Sequence, residues 1–251
     1  MKKIVTILLF ISTFILPIQA DMLRVEAGLG AWNAESTGTI EGVNVNNGFD
    51  GFDTLDSQRE ANVYAWVMLK HFIPVVSNFR VEYLDMTSNG KANGTLFGLP
   101  LNNQANTQID MTQIELIPYY NLLDNTFWIT FDVGVAFKFI DLEYRVDPNS
   151  PLMQKYYTTE SLTLPFAYAR SRVEIPTTNI GLEADLKYLE YDSNVVYDVR
   201  AKIDYTFDIS PVIQPAIEIG YRKQVYETDE TKDIVLDLDF SGVYAGVMLR
   251  F

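Results

Sequence analysis

Ten stretches of this chain alternate apolar and polar side chains, and that period of two dominates what the chain can fold into. In TFWITFDVGVAFKFI, Phe127, Ile129, Phe131, Val133, Val135, Phe137 and Phe139 share one face, while Trp128, Thr130, Asp132, Gly134, Ala136 and Lys138 share the other. In VVYDVRAKIDYTF, Val195, Tyr197, Val199, Ala201, Ile203, Tyr205 and Phe207 oppose Asp198, Arg200, Lys202, Asp204 and Thr206. Near the start, Leu23, Val25, Ala27, Leu29 and Ala31 oppose Arg24, Glu26, Gly28, Gly30 and Trp32. At the end, Val243, Ala245, Val247, Leu249 and Phe251 oppose Tyr244, Gly246, Met248 and Arg250. The other stretches begin near Ala61, Asn78, Gln108, Leu162, Ile180 and Val212, and the last near Ile234. A period of two is that of strands, so the fold class is all-β.

A soluble sandwich and a membrane barrel both give strands with one apolar face, so other features decide. Several stretches hold their alternation for about ten residues, the reach of a tilted bilayer-crossing strand, whereas soluble strands average about five or six. Long polar connections, NAESTGTIEGVNVNNGFDGFDTLDSQ and TSNGKANGTLFGLPLNNQANT, follow odd-numbered strands; short ones, NLLDN, PTTN and DISP, follow even-numbered strands. That rhythm of long outer loops and short inner turns belongs to outer-membrane barrels. Tyr83, Tyr119, Tyr120, Phe127, Tyr168, Tyr188, Tyr197, Phe207 and Tyr221 fall near strand ends, where interfacial aromatic girdles would sit. The expected fold is an antiparallel transmembrane β-barrel of ten strands, or eight if the stretches near Gln108 and Ile180 are not strands. An even count puts both termini on one side, the periplasmic one.

The first residues fit export. MKK, the apolar run Ile4 to Ile18 and Gln19-Ala20-Asp21 read as a secretory signal spanning residues 1–20, leaving 21–251 as the barrel. Beyond Ala20 no apolar stretch is long enough for a membrane helix, so any crossing is made by strands. With 33 acidic against 19 basic side chains and a net charge of −14, the chain is a poor match for nucleic acid. It has no cysteine, hence no disulfide, thiolate nucleophile or thiolate metal site.

In this reading the polar faces project into the lumen Arg24, Glu26, Arg80, Glu82, Asp132, Lys138, Glu183, Asp185, Lys187, Asp198, Arg200, Lys202, Asp204, Glu218 and Arg222. Small barrels are filled by their own side chains, and open channels belong to barrels of about sixteen strands or more. Interleaved charges in a ten-stranded lumen therefore predict a largely filled interior and a structural or surface-interaction role. A small, weakly cation-selective pore is the alternative, and Asp237 and Asp239 in DLDLDF would favour cations at the outer rim. An enzyme is not expected. The one histidine, His71, falls at the periplasmic end of the second strand, and Ser77 lies across the turn without a base. Glu183 and Asp185 share one strand face, as lumen carboxylates commonly do. No metal-ligand spacing, calcium loop or phosphate-binding glycine loop is present, so no cofactor is expected; the glycines of GLG and NGFDG read as hinges and small lumen-facing residues.

The ending GVYAGVMLRF resembles the C-terminal signature of bacterial outer-membrane β-barrels, a terminal phenylalanine preceded by apolar residues at alternate positions. With LPFAYARSRVEIP, EIGYRK and DLDFSGVYAGVMLRF, the chain also resembles a family of small, functionally uncharacterised Gram-negative outer-membrane barrel proteins. The resemblance implies fold, outer-membrane location and recognition of Val247, Leu249 and Phe251 by the barrel-assembly machinery; it implies no activity. Expected partners are outer-membrane lipid and lipopolysaccharide, with the chain a monomer. The outer loops, carrying few large side chains beyond Phe49, Phe52 and Phe97, read as shielding rather than specific receptors.

Overall fold

The computed structural model describes residues 23–42, 49–56, 59–73, 75–101, 105–191, 194–210, 212–227 and 234–251; the expected signal, 1–20, lies outside the described residues. Twelve strands follow in order: β1 (Leu23–Gly42), β2 (Phe49–Asp56), β3 (Glu60–His71), β4 (Asn78–Leu96), β5 (Leu99–Pro100), β6 (Ala105–Thr126), β7 (Ile129–Asp147), β8 (Tyr156–Glu174), β9 (Ile180–Tyr191), β10 (Asn194–Thr206), β11 (Gln214–Glu227) and β12 (Ile234–Arg250).

Ten of them close a barrel of antiparallel neighbours. β12 returns to β1 along a ladder from Glu26↔Arg250 to Gly42↔Ile234. The last residue is part of that seam: the Phe251 N–H donates to the Val25 carbonyl at 2.8 Å, and the Val25 N–H donates back at 3.3 Å. With β1 and β12 paired, the barrel has no open seam there, which is how such folds remove sheet edges. The strands are staggered, so a path through paired residues leaves β1 near Arg24 and rejoins it near Ser36.

The two remaining strands arise where the sequence predicted loops. β2 continues the slot of β3, pairing with Thr37–Gly42 of β1 on one side and Lys91–Leu96 of β4 on the other. β5 folds back on the end of β4 through a turn at Phe97 and Gly98, both with positive φ. The first two long connections are thus mostly sheet, and β4 and β6 reach 19 and 22 residues. Each is about twice what a bilayer crossing needs. The segments near Gln108 and Ile180 are both strands, which rules out the eight-stranded alternative.

Polarity inverts along these long strands. In β7, Val135, Phe137 and Phe139 face outward and Asp132 and Lys138 are buried; past that point Ile140, Leu142, Tyr144 and Val146 are buried while Asp141, Glu143 and Arg145 take the outer positions. β4 does the same, with Leu84 and Met86 inside and Asp85, Asn89 and Lys91 outside, and so does β6, with Ile109 and Met111 inside. The half of the barrel near the chain termini therefore has an apolar exterior and a charged interior. The distal half has a polar exterior and an apolar core, built as a soluble barrel would be.

Two local expectations are corrected. NLLDN is not the β6–β7 turn: β6 runs on through two register irregularities, at Asn121/Leu123 and Leu123/Thr126, and the turn is Phe127–Trp128, with φ of 52° and 65°. Consecutive positive φ angles make the two-residue primed hairpin that suits strand twist. Tyr119 and Tyr168 do not belong to an aromatic girdle, since both are buried inside with ring centroids 6.4 Å apart. Each is in phase with inward residues of its own strand, and phase outweighs nearness to a strand end.

Candidate functional site

The interior of the half near the chain termini is one continuous network of charges. Nine carboxylates and ten cationic side chains are buried there, so the interior is close to neutral although the whole chain carries −14. Among the described residues, the acidic excess consequently lies outside this interior.

The network begins at the mouth beside the chain termini. Arg24, with a quarter of its side chain exposed, meets Glu26 at 2.7 Å. Arg250 bridges Glu26 at 3.5 Å and Asp204 at 2.6 Å, joining the last strand to the tenth. Arg172 holds both oxygens of Asp204, at 2.6 and 3.1 Å. One level deeper, Arg170 donates to Asp132 at 2.6 Å and to Glu183 at 2.7 Å, while Lys202 binds Glu218 at 2.8 Å and Glu183 at 3.4 Å. Arg80 pairs with Glu82 at 2.6 Å, and its guanidinium lies 4.8 Å from the centroid of Trp66. Lys202 lies 4.9 Å from the same centroid, so one indole sits near two cations. Arg200 links Glu82 (2.6 Å) to Asp185 (3.0 Å) across the lumen.

The deepest level is centred on Asp198. Its carboxylate accepts from Arg222 at 2.6 and 3.0 Å, Gln224 at 2.9 Å and Lys138 at 3.2 Å, with Lys187 at 3.6 Å. Glu115 takes Lys187 at 2.5 Å and Lys138 at 3.1 Å. Above it, Gln113 and Gln224 bond each other at 3.2 Å, and Gln113 also donates to the Met111 sulfur at 2.9 Å. Beyond that, the apolar core of Met86, Ile109, Ile140, Leu142 and Phe240 takes over.

Aromatic rings complete the packing because glycines make room for them. A Cβ on Gly28 would lie 2.4 Å from the Trp66 indole nitrogen, and one on Gly246 would lie 2.4 Å from the Tyr64 hydroxyl. That hydroxyl donates to Glu218 at 2.7 Å. Larger residues at Gly28 or Gly246 would displace those rings.

Of the fifteen charges expected in the lumen, Glu26, Arg80, Glu82, Asp132, Lys138, Glu183, Asp185, Lys187, Asp198, Arg200, Lys202, Asp204, Glu218 and Arg222 are buried, and Arg24 lines the mouth. Glu115, Arg170, Arg172 and Lys70, outside the expected set, belong to the same interior, as does Arg250 from the polar row of the last strand. In FAYARSRV, Phe166, Tyr168, Arg170 and Arg172 share a phase, but outward Ala167, Ala169 and Ser171 are too small to mark the other face as apolar. Glu183 and Asp185 are paired with cations, Glu183 with Arg170 and Asp185 with Arg200. His71 belongs to the β3–β4 turn, where its Nδ1 accepts from the Ile73 N–H at 3.2 Å and its Nε2 lies 3.0 Å from the Ser77 carbonyl oxygen. Among the described residues no group of three His, Cys, Asp or Glu side chains is arranged to hold a metal.

The mouth by the termini opens into a vestibule of about 730 Å³ lined by Arg24, Arg172, Glu174, Thr206, Arg250 and Phe251, among others. Its floor is the Arg24, Arg172 and Arg250 layer. Val247, Leu249 and Phe251 face outward, 60%, 43% and 50% exposed, on the rim of the same end.

No family model matches this chain, and no curated protein matches it in sequence. Solved structures do. The outer-membrane protease OmpT from Escherichia coli superposes with a TM-score of 0.54 at 7% identity, over 95% of this chain and 99% of that one. The translocator domain of the autotransporter NalP from Neisseria meningitidis gives 0.45 at 12% identity, covering 100% and 95% of the two chains. The attachment invasion locus protein Ail of Yersinia pestis gives 0.38 at 10%, covering 90% and 99%. At these identities the likeness speaks for fold alone: the chain is a closed antiparallel β-barrel of ten strands, similar in fold to Gram-negative outer-membrane proteins.

Proposed function

We propose that this chain is an integral outer-membrane protein with a filled lumen, acting as a non-enzymatic structural or surface component of the cell envelope. The observation that carries the reading is the interlocked interior, in which, among the described residues, a nearly neutral network of paired charges lies beneath an apolar core. The outward residues Leu29, Val67, Val81, Leu116, Phe137, Leu186, Val199, Ile219 and Val247 supply a lipid-facing band. The termini and vestibule then face the periplasm, and the polar distal half stands among lipopolysaccharide headgroups. Val247, Leu249 and Phe251 would be read by the barrel-assembly machinery, and the chain works as a monomer. The use of His71 in a turn and of Glu183 and Asp185 in ion pairs supports a role without catalysis.

The runner-up is a small pore, favoured by the vestibule, which admits solvent to the level of Arg172. The near balance of buried charge gives such a pore no strong preference for cations. Fractionation tests the location: the expressed chain should sediment with outer membranes and migrate differently on SDS gels before and after boiling. A chain recovered in the soluble periplasmic fraction, with no heat-dependent shift, would overturn the reading.

A further inference from the structure

β8 is paired along one edge throughout, but along the other for less than half of its length. Its register with β7 runs without a break from Val173 opposite Ile129 to Tyr156 opposite Val146, whereas its pairing with β9 covers only Ala167–Glu174. The Glu174 N–H donates to the Trp128 carbonyl at 2.9 Å, on the β7 side. Backbone groups alternate sides along a strand, so the even-numbered residues of β8 bond β7 and the odd-numbered ones face β9. Pro165 therefore turns a nitrogen without hydrogen toward β9. In the register of Ala167 with Tyr188 it would stand opposite Glu190, and the β8–β9 ladder stops just short of it.

Beyond Pro165, among the described residues, no strand takes up this edge of β8. Tyr157, Thr159, Ser161 and Thr163 point their N–H and C=O groups away from β7, level with the outward Asp141, Glu143 and Arg145 of the distal half. No residue from Tyr157 to Pro165 is buried, and the inward Leu162 is 39% exposed, so both faces of the strand meet solvent. Proteins usually blunt such an edge with a lysine, a bulge or a very short strand. β8 has none of these between Tyr157 and Thr163. The surroundings are acidic: Asp141, opposite Ser161, Glu160 and Glu190 are all exposed, and none makes an ion pair among the described residues.

We propose that the edge of β8 from Tyr157 to Thr163 takes an extended segment of a partner polypeptide as an added strand, one with basic side chains on its outer face and apolar ones on its inner face. Main-chain hydrogen bonds to the four open residues supply the affinity, as in other strand additions to a sheet edge. The basic face answers Asp141 and Glu190, and the apolar face covers Leu162 and Leu164. A second copy is the poorer occupant, because it would bring the same carboxylates against one another. The inference deepens the surface role proposed above and rests on it for where the partner is met; the edge itself does not depend on location.

The probe is a short labelled peptide of alternating lysine and valine, added to the full barrel in nonionic micelles and followed by fluorescence anisotropy. Ser161→Pro removes one open N–H without touching the β7 ladder and should weaken binding at least about tenfold. Ser161→Ala keeps that N–H and should bind no more weakly than the parent. The same peptide N-methylated at alternate positions keeps its charge and apolar face but loses its ladder donors, and should not bind. Undiminished binding of the N-methylated peptide, or of the plain peptide to Ser161→Pro that still shows the heat-dependent gel shift, would mean charge attraction alone and overturn the added strand. No binding to a parent barrel that shows the shift would mean that the chain covers its own edge; that overturns this inference and leaves the fractionation test of location standing. A dimer in micelles that Ser161→Pro dissolves would give the edge to a second copy and overturn the partner.

Discussion

Replacing Asp198 by alanine examines the charged interior where it is most densely connected. The carboxylate is 1% exposed and serves Arg222, Gln224, Lys138 and, at longer range, Lys187. Its loss leaves Lys138 and Arg222 with Glu115 alone, Arg222 at only 3.7 Å, while Lys187 keeps both Glu115 and Glu82. Removing one partner of a buried ion pair costs about 3–5 kcal/mol, chiefly because a charge is left uncompensated. That is a large share of the roughly 5–15 kcal/mol by which folded domains are stable. A double variant, Asp198→Ala with Arg222→Met, removes the stranded guanidinium too and should be less destabilised than Asp198→Ala alone by at least about 1 kcal/mol. The assay is the urea midpoint of the refolded protein in detergent micelles, followed by tryptophan emission and by the heat-dependent gel shift. A single-variant loss below about 1 kcal/mol, with no recovery in the double variant, would mean that the layer is water-filled and its charges screened. That result would refute the account of a dry, interlocked interior.

Other perturbations probe separate parts of the account. Gly28→Val should push the Trp66 indole out of its place and cost about 1–3 kcal/mol through overpacking, read as a red-shifted tryptophan emission and a lower urea midpoint; unchanged emission would argue against the fitted ring. Ile140→Ala, at the base of the distal core, should cost about 2–5 kcal/mol, whereas Phe139→Ala, one residue away and facing outward, should cost much less in detergent. Equal losses would contradict the inversion of polarity along β7. Deleting Phe251 should reduce the amount of folded barrel in outer membranes, since it removes both the seam bonds to Val25 and the terminal aromatic; undiminished assembly would dismiss the role given to Val247, Leu249 and Phe251.

All ten barrel strands are visible in the sequence, because inward and outward environments differ sharply in the half near the chain termini and the period of two records that contrast. The distal half was harder to read. In TSNGKANGTL, inward Ser88 and Ala92 are small and outward Thr87, Asn89 and Lys91 are polar, so neither face announces itself and the stretch passes for a loop. Expecting polar side chains inside also fails there, because above Lys138 the exterior meets water and the interior becomes the apolar side. Arg170, Arg172 and Glu115 were missed where small residues, or Pro118, blurred the contrast between faces. Their cross-lumen partners lie far away in sequence: Lys187 reaches Glu82 from 105 positions along the chain. The pairing of charges is set by closure and stagger, which no single strand encodes.

The central claim is that side chains fill the lumen from wall to wall, and single-channel recording in a planar bilayer tests it most directly. Refolded protein that shows the heat-dependent gel shift should give no stable conductance steps at moderate salt under either voltage sign. Steps of uniform size that appear with the folded form and disappear after boiling would contradict the filled lumen and establish an open path past Arg172 and Asp198.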